Sequence, residues 1–236
     1  YLNFLRDNLQ NSELSQRFGL NINSDTPAFH NLYDFCSLTS GASILAADLI
    51  INGKANRVVN WLGGFHHARK EKAAGFCYSN DIVLSILRLL THFNKVLYVD
   101  IDVHHGDGVE EAFFDCPQVL TLSFHQYDEK ENFYPGTGNI DQVGIDEGMY
   151  CSINVPLKAG IGDDIYLPIF EQIFNQTLTT FRPEVIWLQC GADSLNKDPI
   201  GNLKLSSDGH SSLVKHILKT GLPVILGGGG GYNLPN

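Results

Sequence analysis

Between Leu97 and Asp107 the chain reads Leu-Tyr-Val-Asp-Ile-Asp-Val-His-His-Gly-Asp, an apolar run that breaks off into alternating carboxylates and imidazoles. A strand buried on both faces is a near-continuous hydrophobic run, and loops at the carboxyl ends of such strands are where open α/β sheets place their ligands. Asp102 and His104 are two residues apart, so in extended chain both side chains fall on one side, as two ligands of one metal must, and Asp100 points that way too. Three more polar groups follow predicted strands: His66-His67, Asp193, and Tyr232 behind the glycines 227–231. Asp102, His104 and Asp193 suit a divalent ion of borderline softness, and three protein ligands leave positions open for water and substrate, the arrangement of catalytic zinc. Such an ion polarises a carbonyl and activates water. His66 and His67 can move protons near neutral pH, with Asp100 and Asp107 available to fix tautomer and basicity. Tyr232 can donate its hydroxyl proton to a developing oxyanion, and the glycines before it let the backbone approach a ligand closely.

Taken singly, each feature has a plain structural explanation. An Asp at a strand end caps a helix, paired histidines sit satisfied in loops, and glycine-rich loops turn the chain or bind phosphate. The unit Asp-x-Asp-x-His-His-Gly-Asp has none, because burying so many ionisable groups without a metal or partners is costly.

The elements that must position these groups are legible as an alternation. Helices are predicted over 1–9, 38–51, 80–92, 106–114, 163–181 and 207–219, with Ser79 or Asn80 capping the third and a Ser/Asp cap beginning the last. Strands are predicted over 57–61, 95–101, 118–124, 151–155, 185–189 and 223–226. The alternation predicts an α/β fold, a central parallel sheet with helices on both faces, and puts all four polar clusters at one sheet edge. The connection 125–150 is longer than ordinary loops, which favours a functional role.

At 236 residues and 43% hydrophobic content the chain can bury one large core, and no boundary between domains is visible. A net charge of -10 without a local Lys/Arg cluster argues against a nucleic-acid surface and for basic partners. Five cysteines, odd in number and without Cys-x-x-Cys, argue against a disulfide framework or zinc finger and for a reducing compartment. No signal-peptide pattern and no run of apolar residues long enough for a membrane span is apparent.

Six motifs together carry a family resemblance: Gly-Gly-Phe-His-His-Ala-Arg-Lys (63–70), Ala-Gly-Phe-Cys-Tyr-Ser-Asn-Asp-Ile (74–82), Tyr-Val-Asp-Ile-Asp-Val-His-His-Gly-Asp-Gly-Val-Glu-Glu-Ala-Phe (98–113), Tyr-Pro-Gly-Thr-Gly (134–138), Gln-Cys-Gly-Ala-Asp-Ser-Leu (189–195) and Gly-Gly-Gly-Gly-Tyr (228–232). The chain resembles a zinc-dependent histone deacetylase of the class I type, of the arginase/deacetylase three-layer fold, nearly end to end. The resemblance implies hydrolysis of N6-acetyl-lysine on histones or other proteins, in chromatin regulation and transcriptional repression. It implies Zn2+ on Asp102, His104 and Asp193, His66 paired with Asp100, His67 with Asp107 as general base, and Tyr232 on the acetyl carbonyl. The family's acyl-lysine tunnel maps to Gly75, Phe76, Tyr134 and Ile200, with Asp25 at the rim gripping the substrate backbone. Tyr134 stands where the family usually has phenylalanine, so its hydroxyl needs water or a partner. K+ is implied on backbone carbonyls of Asp100, Asp102, His104, Ser123 and Phe124, and a second such site at Phe113, Cys116, Val119 and Cys151.

The same resemblance sets expectations about partners. The acidic loop 126–133, with Asp128, Glu129, Lys130 and Glu131, either favours basic residues flanking the acetyl-lysine or is simply a solvated loop. Corepressor-bound class I members carry arginines for inositol phosphate where this chain has Pro199 and Pro235, which puts that mode of activation in doubt. Localisation in the nucleus rests on the resemblance alone and leaves the cytoplasm open. The chain begins at Tyr1 and stops four residues after Tyr232, so residues 1–236 read as a catalytic domain lacking the family's first strand and its last helices. Three rivals remain: a relative acting on acetylpolyamines or other small acylated amines, an inactive scaffold, and a ureohydrolase, which would need a second carboxylate where His105 stands.

Overall fold

The computed structural model describes residues 1–7, 12–20, 25–130 and 133–234. Six strands, β1 (Arg57–Asn60), β2 (Val96–Asp100), β3 (Val119–Gln126), β4 (Ser152–Leu157), β5 (Val185–Gln189) and β6 (Val224–Gly227), form one sheet in the order β1-β6-β5-β2-β3-β4. Every pairing is parallel. Seven α-helices accompany them among the described residues: α1 (Leu2–Asp7), α2 (Ser12–Arg17), α3 (Leu32–Ile51), α4 (Asp81–Leu89), α5 (Asp107–Phe113), α6 (Asp163–Phe181) and α7 (Ser207–Leu218).

Side chains alternate across a strand, so the uninterrupted apolar run of β2 feeds two cores. Leu97 and Val99 join Leu122, Ile186, Leu188 and Leu226 beneath Phe170 and Phe174 of α6 and Leu213 and Ile217 of α7. Val96 and Tyr98 join Trp187 and Ile225 beneath Ala46 and Ile50 of α3, Ile82 and Ile86 of α4, and Val109 and Phe113 of α5. Helices thus cover both faces, as the alternation predicts. A third, smaller cluster gathers Phe4, Leu5, Phe18, Leu20, Leu32 and Cys36 under the N-terminal segment.

The differences from the sequence expectations have local causes. The helix expected over 1–9 ends at Asp7, residues 8 and 9 lie outside the described residues, and α2 follows separately. Helix α3 starts six residues earlier than expected, because Leu32 and Cys36, one turn apart, bury into the third cluster. α3 is also the one described helix long and apolar enough to cross a membrane. It is packed against α4 instead, through Ser43 to Asp81, Ser85 to the Ser43 carbonyl, and an Arg88–Asp48 ion pair. Strands β3 and β4 run two residues further than expected because their register continues to Gln126 opposite Leu157.

Strands that follow β2 in sequence run outward on one side, through β3 to β4, whereas β5 and β6 build the other side. The order therefore reverses between β2 and β5, and an open α/β sheet has its crevice at that point, beyond the strand carboxyl ends.

Candidate active site

The loops after β1, β2, β3, β5 and β6, five adjacent strands, converge on a cavity of about 600 Å³ lined by His66, His67, Asp102, His104, Asp193 and Tyr232 and walled by Gly75, Phe76, Phe133, Tyr134 and Ile200. All the catalytic, metal and substrate-binding positions expected from the sequence, save Asp100 and Asp107 behind the histidines, line this cavity, including Asp25.

At its floor, one ligand atom each from Asp102, His104 and Asp193 lies within 4.8 Å of the other two. His104 Nδ1 is 3.1 Å from Asp102 Oδ1 and 3.1 Å from Asp193 Oδ2. Two carboxylates and an imidazole brought this close are donor types that would hold zinc and leave room for water and substrate. Burial and the neighbouring Asp102 push the Asp193 carboxyl up to about 7. Burial opposes charge on His104, yet hydrogen bonds to Asp102 and Asp193 carry it up to about 10. Two buried carboxylates sharing one imidazole hold more negative charge than one proton offsets comfortably, and a divalent cation answers that deficit. The residues present therefore fit zinc.

Other contacts orient these donors. Gln189, the polar end of β5, donates from Nε2 to Asp102 Oδ2 at 2.9 Å and accepts the Gly191 N–H at 2.7 Å. The Gly230 N–H reaches the same Asp102 oxygen at 2.9 Å, and the Val103 N–H reaches Asp193 Oδ1 at 2.8 Å. A Cβ at Gly191 would collide with the Asp102 carboxylate, and one at Gly230 with that of Asp193. The Phe133 ring stacks on His104, centroids 5.2 Å apart and planes 6° from parallel.

One expectation is corrected here. Strand β2 stops at Asp100 and residues 102–104 form a bend, so Asp102 and His104 meet through that bend and not along an extended chain. Asp100 does not join them: its Oδ2 lies 2.7 Å from His66 Nδ1 and accepts the Tyr98 hydroxyl, while its Oδ1 accepts the Asp102 N–H at 3.1 Å.

The two histidines are adjacent in space, centroids 3.9 Å apart, and differ in environment. Burial disfavours charge on His66, but Asp100 and Asp102 more than compensate and lift it to about 9. Burial and the neighbouring His66 drive His67 down to about 4, against the opposing pull of Asp107, whose Oδ1 is 2.6 Å from its Nδ1. Asp107 is held by Arg69 as well, whose Nη2 donates to Oδ2 at 2.8 Å while Nη1 pairs with Glu111 at 2.6 Å. The environments thus favour the charged form of His66 and the neutral form of His67. Asn80 fixes the loop that carries them: its side chain accepts the Val83 N–H as cap of α4 and donates to the Ala68 carbonyl at 2.9 Å.

The walls come from two turns. Ala74 and Cys77 exchange backbone hydrogen bonds around Gly75 (φ 54°) and Phe76 (φ 63°), a tight turn with both central residues left-handed that projects the Phe76 ring. Asp25 Oδ2 accepts the Gly75 N–H at 2.9 Å. Opposite, His105 Nδ1 meets Thr137 Oγ1 at 2.8 Å and His125 Nε2 meets the Gly138 carbonyl at 2.9 Å, which pins the 134–138 loop to the sheet. Tyr134 presents its ring edge-on to His67 at 5.1 Å, with burial raising its hydroxyl above the usual phenol range. The Tyr232 ring lies 5.7 Å from that of Phe76.

For the monovalent-cation positions, Asp100 pairs with Ser123 across β2 and β3, and the Gln126 N–H bonds the Val103 carbonyl, so 100–103 runs on alongside 123–126 in the same register. At the second set the Phe113, Cys116 and Cys151 carbonyls each already accept a backbone N–H. In the acidic loop Asp128 accepts the Lys130 N–H and Glu129 accepts from Asn139, while Glu131 lies outside the described residues. Pro199 is exposed, and Pro235 lies outside the described residues.

A parallel sheet with this donor set and paired histidines at its switch point defines the arginase/deacetylase class of α/β proteins. Within that class the chain belongs to the histone deacetylase family, whose domain it matches over residues 1–236. It is 44% identical over 240 residues to type-1 histone deacetylase 1 of Dictyostelium discoideum, covering 100% of this chain and 48% of that one. It is 47% identical over 242 residues to histone deacetylase HDAC1 of Drosophila melanogaster and 44% over 241 residues to histone deacetylase 1 of Homo sapiens, with 45% and 49% of those chains covered. The chain spans about half the length of these relatives.

Proposed function

We propose that residues 1–236 form the catalytic domain of a zinc-dependent protein lysine deacetylase that releases acetate from N6-acetyl-lysine, on histones in the first place. The observation that carries the reading is the buried Asp102–His104–Asp193 donor set with two carboxylate-paired histidines, His66–Asp100 and His67–Asp107, beside it on one cavity.

Bound on that set, zinc supplies a Lewis acid for the acyl oxygen and lowers the pKa of water. The residues supply the rest. Asp107 holds the His67 Nδ1–H, so Nε2 takes a proton from the attacking water and returns it to the leaving lysine amine. His66, braced by Asp100, disfavours charge on the adjacent His67 before attack. Tyr232 donates its hydroxyl to the carbonyl oxygen as charge develops there. Phe76, Tyr134 and Ile200 line a passage for the four methylenes of lysine, and Asp25 at its rim grips substrate backbone. A K+ would be held by the carbonyls of Asp100, Asp102, His104, Ser123 and Phe124, which lie on two segments that run side by side. A histone substrate places the protein in the nucleus, working in transcriptional repression, and any corepressor complex would form without arginine at Pro199 or Pro235.

The test is acetate release from an acetylated histone-tail peptide, with an acetylated polyamine beside it. Turnover of the peptide, abolished by chelator and by His67→Ala, supports the reading. Turnover of the polyamine alone would replace it with a small-amine deacetylase.

A further inference from the structure

Asp198 is 6% exposed and outside the cavity lining, yet its carboxylate joins two residues that form the cavity wall. Oδ2 accepts the backbone N–H of Tyr232 at 2.7 Å, and Oδ1 accepts that of Ile200 at 3.1 Å. The platform beneath it is fixed: the Leu195 N–H bonds the Ala192 carbonyl at 3.1 Å and the Asp198 N–H bonds the Leu195 carbonyl at 3.3 Å. The glycine run is anchored upstream, at Gly228 to the Asn60 carbonyl, at Gly230 to Asp102, and from Ala192 to the Gly230 carbonyl. Beyond Gly230 those anchors stop. Among the described residues, the bond from Tyr232 to Asp198 is the one hydrogen bond that holds 231–234.

We infer that Asp198 is a positioning residue, whose two oxygens set the reach of the Tyr232 hydroxyl and the placement of Ile200 against the substrate. The inference rests on the deacetylase reading, which gives Tyr232 its role. A carboxylate serves because both bonds need an acceptor, and charge-assisted bonds are roughly twice as strong as neutral ones. Asparagine at 198 has the same shape but one acceptor oxygen, and its amide would face a backbone N–H. One of the two ties must then fail. A misplacement of about 1 Å costs on the order of 100-fold in rate.

The experiment compares the full chain, zinc-loaded, with Asp198→Asn, Tyr232→Phe and the double variant on an acetyl-lysine peptide, and follows amide hydrogen exchange over 228–234. Asp198→Asn is expected to lower kcat about 10- to 100-fold. In the Tyr232→Phe background, where no hydroxyl remains to be positioned, it should change kcat by less than about 2-fold, while any rise in KM from Ile200 persists. Exchange at Tyr232 should quicken with β5 and β6 as protected as before. Equal loss of kcat in both backgrounds would reduce Asp198 to a general structural role and overturn the inference, as would unchanged kcat and exchange. A wild-type chain that does not turn over the peptide overturns the deacetylase reading instead. The tie itself is then decided by exchange at Tyr232, faster in Asp198→Asn if it exists and unaltered if it does not.

Discussion

In the proposed mechanism the chemistry is divided between a phenol, Tyr232, and an imidazole, His67, each held by a neighbouring carboxylate. Tyr232→Phe removes one donor to the developing oxyanion while leaving the backbone bond to Asp198 in place. The expected loss is about 10²–10³ in kcat, on the order of 3–4 kcal/mol, with KM little altered. Steady-state kinetics decide it, and a kcat within a few-fold of wild type would remove Tyr232 from the mechanism. Asp107 gives a prediction in pH. Burial opposes its charge, but His67 and Arg69 hold the carboxyl down at about 2 from 3.8. Because the folded value is depressed, the stabilisation is complete above pH ~4 and is lost as pH falls through ~2; at about 1.4 kcal/mol per unit it amounts to roughly 2 kcal/mol. Denaturant melts of wild type and Asp107→Asn at pH 6 and pH 3 should converge towards low pH; a constant gap would mean that the charge on Asp107 does not contribute.

Elements matter here for the loops they hold. Asn80 both caps α4 and fastens the Ala68 carbonyl just after the histidine pair. Asn80→Ala should cost about 1–2 kcal/mol, the ordinary worth of a cap plus one bond. It should also lower kcat, since His66 and His67 ride on that loop; a stability loss with kcat untouched would show that the loop is held elsewhere. The glycine run acts through closeness. A methyl group at Gly230 has no room beside the Asp193 carboxylate, so Gly230→Ala should displace a ligand and weaken zinc affinity at least about 10-fold, read by competition with a chromophoric chelator. Unchanged affinity would mean that the loop yields without moving Asp193.

At the scale of the whole molecule, the donor set joins the β2 loop to the β5 loop across the switch point of the sheet. An ion bound there only in the folded state stabilises by about 4 kcal/mol at a thousand-fold excess over Kd, or on the order of 10 °C in a chain of this size. Chelation should lower Tm by that order and added zinc should restore it; a melt indifferent to both would argue that Asp102, His104 and Asp193 hold no metal. Much of this was legible in the chain. Apolar runs of strand length alternating with amphipathic stretches determine a parallel sheet with helices on both faces, since that is how such segments bury. The histidines and aspartates after the strands mark the site because buried ionisable groups need a metal or each other. Arg69, Phe133, Gln189 and Asp198 carried no such mark: each is an ordinary residue of its segment, and its role exists only through a contact with another loop. Asp100 is a mixed case: its place as a carboxylate partner for a histidine was legible, whereas the spacing that put it on one side with Asp102 and His104 gave way to the bend after β2. Sequence by itself determined which groups are buried at the strand ends, because burial follows from local pattern. The tertiary structure alone decided which of them face one another, because a charged or hydrogen-bonded pair depends on distances of a few ångströms between segments that the chain holds far apart.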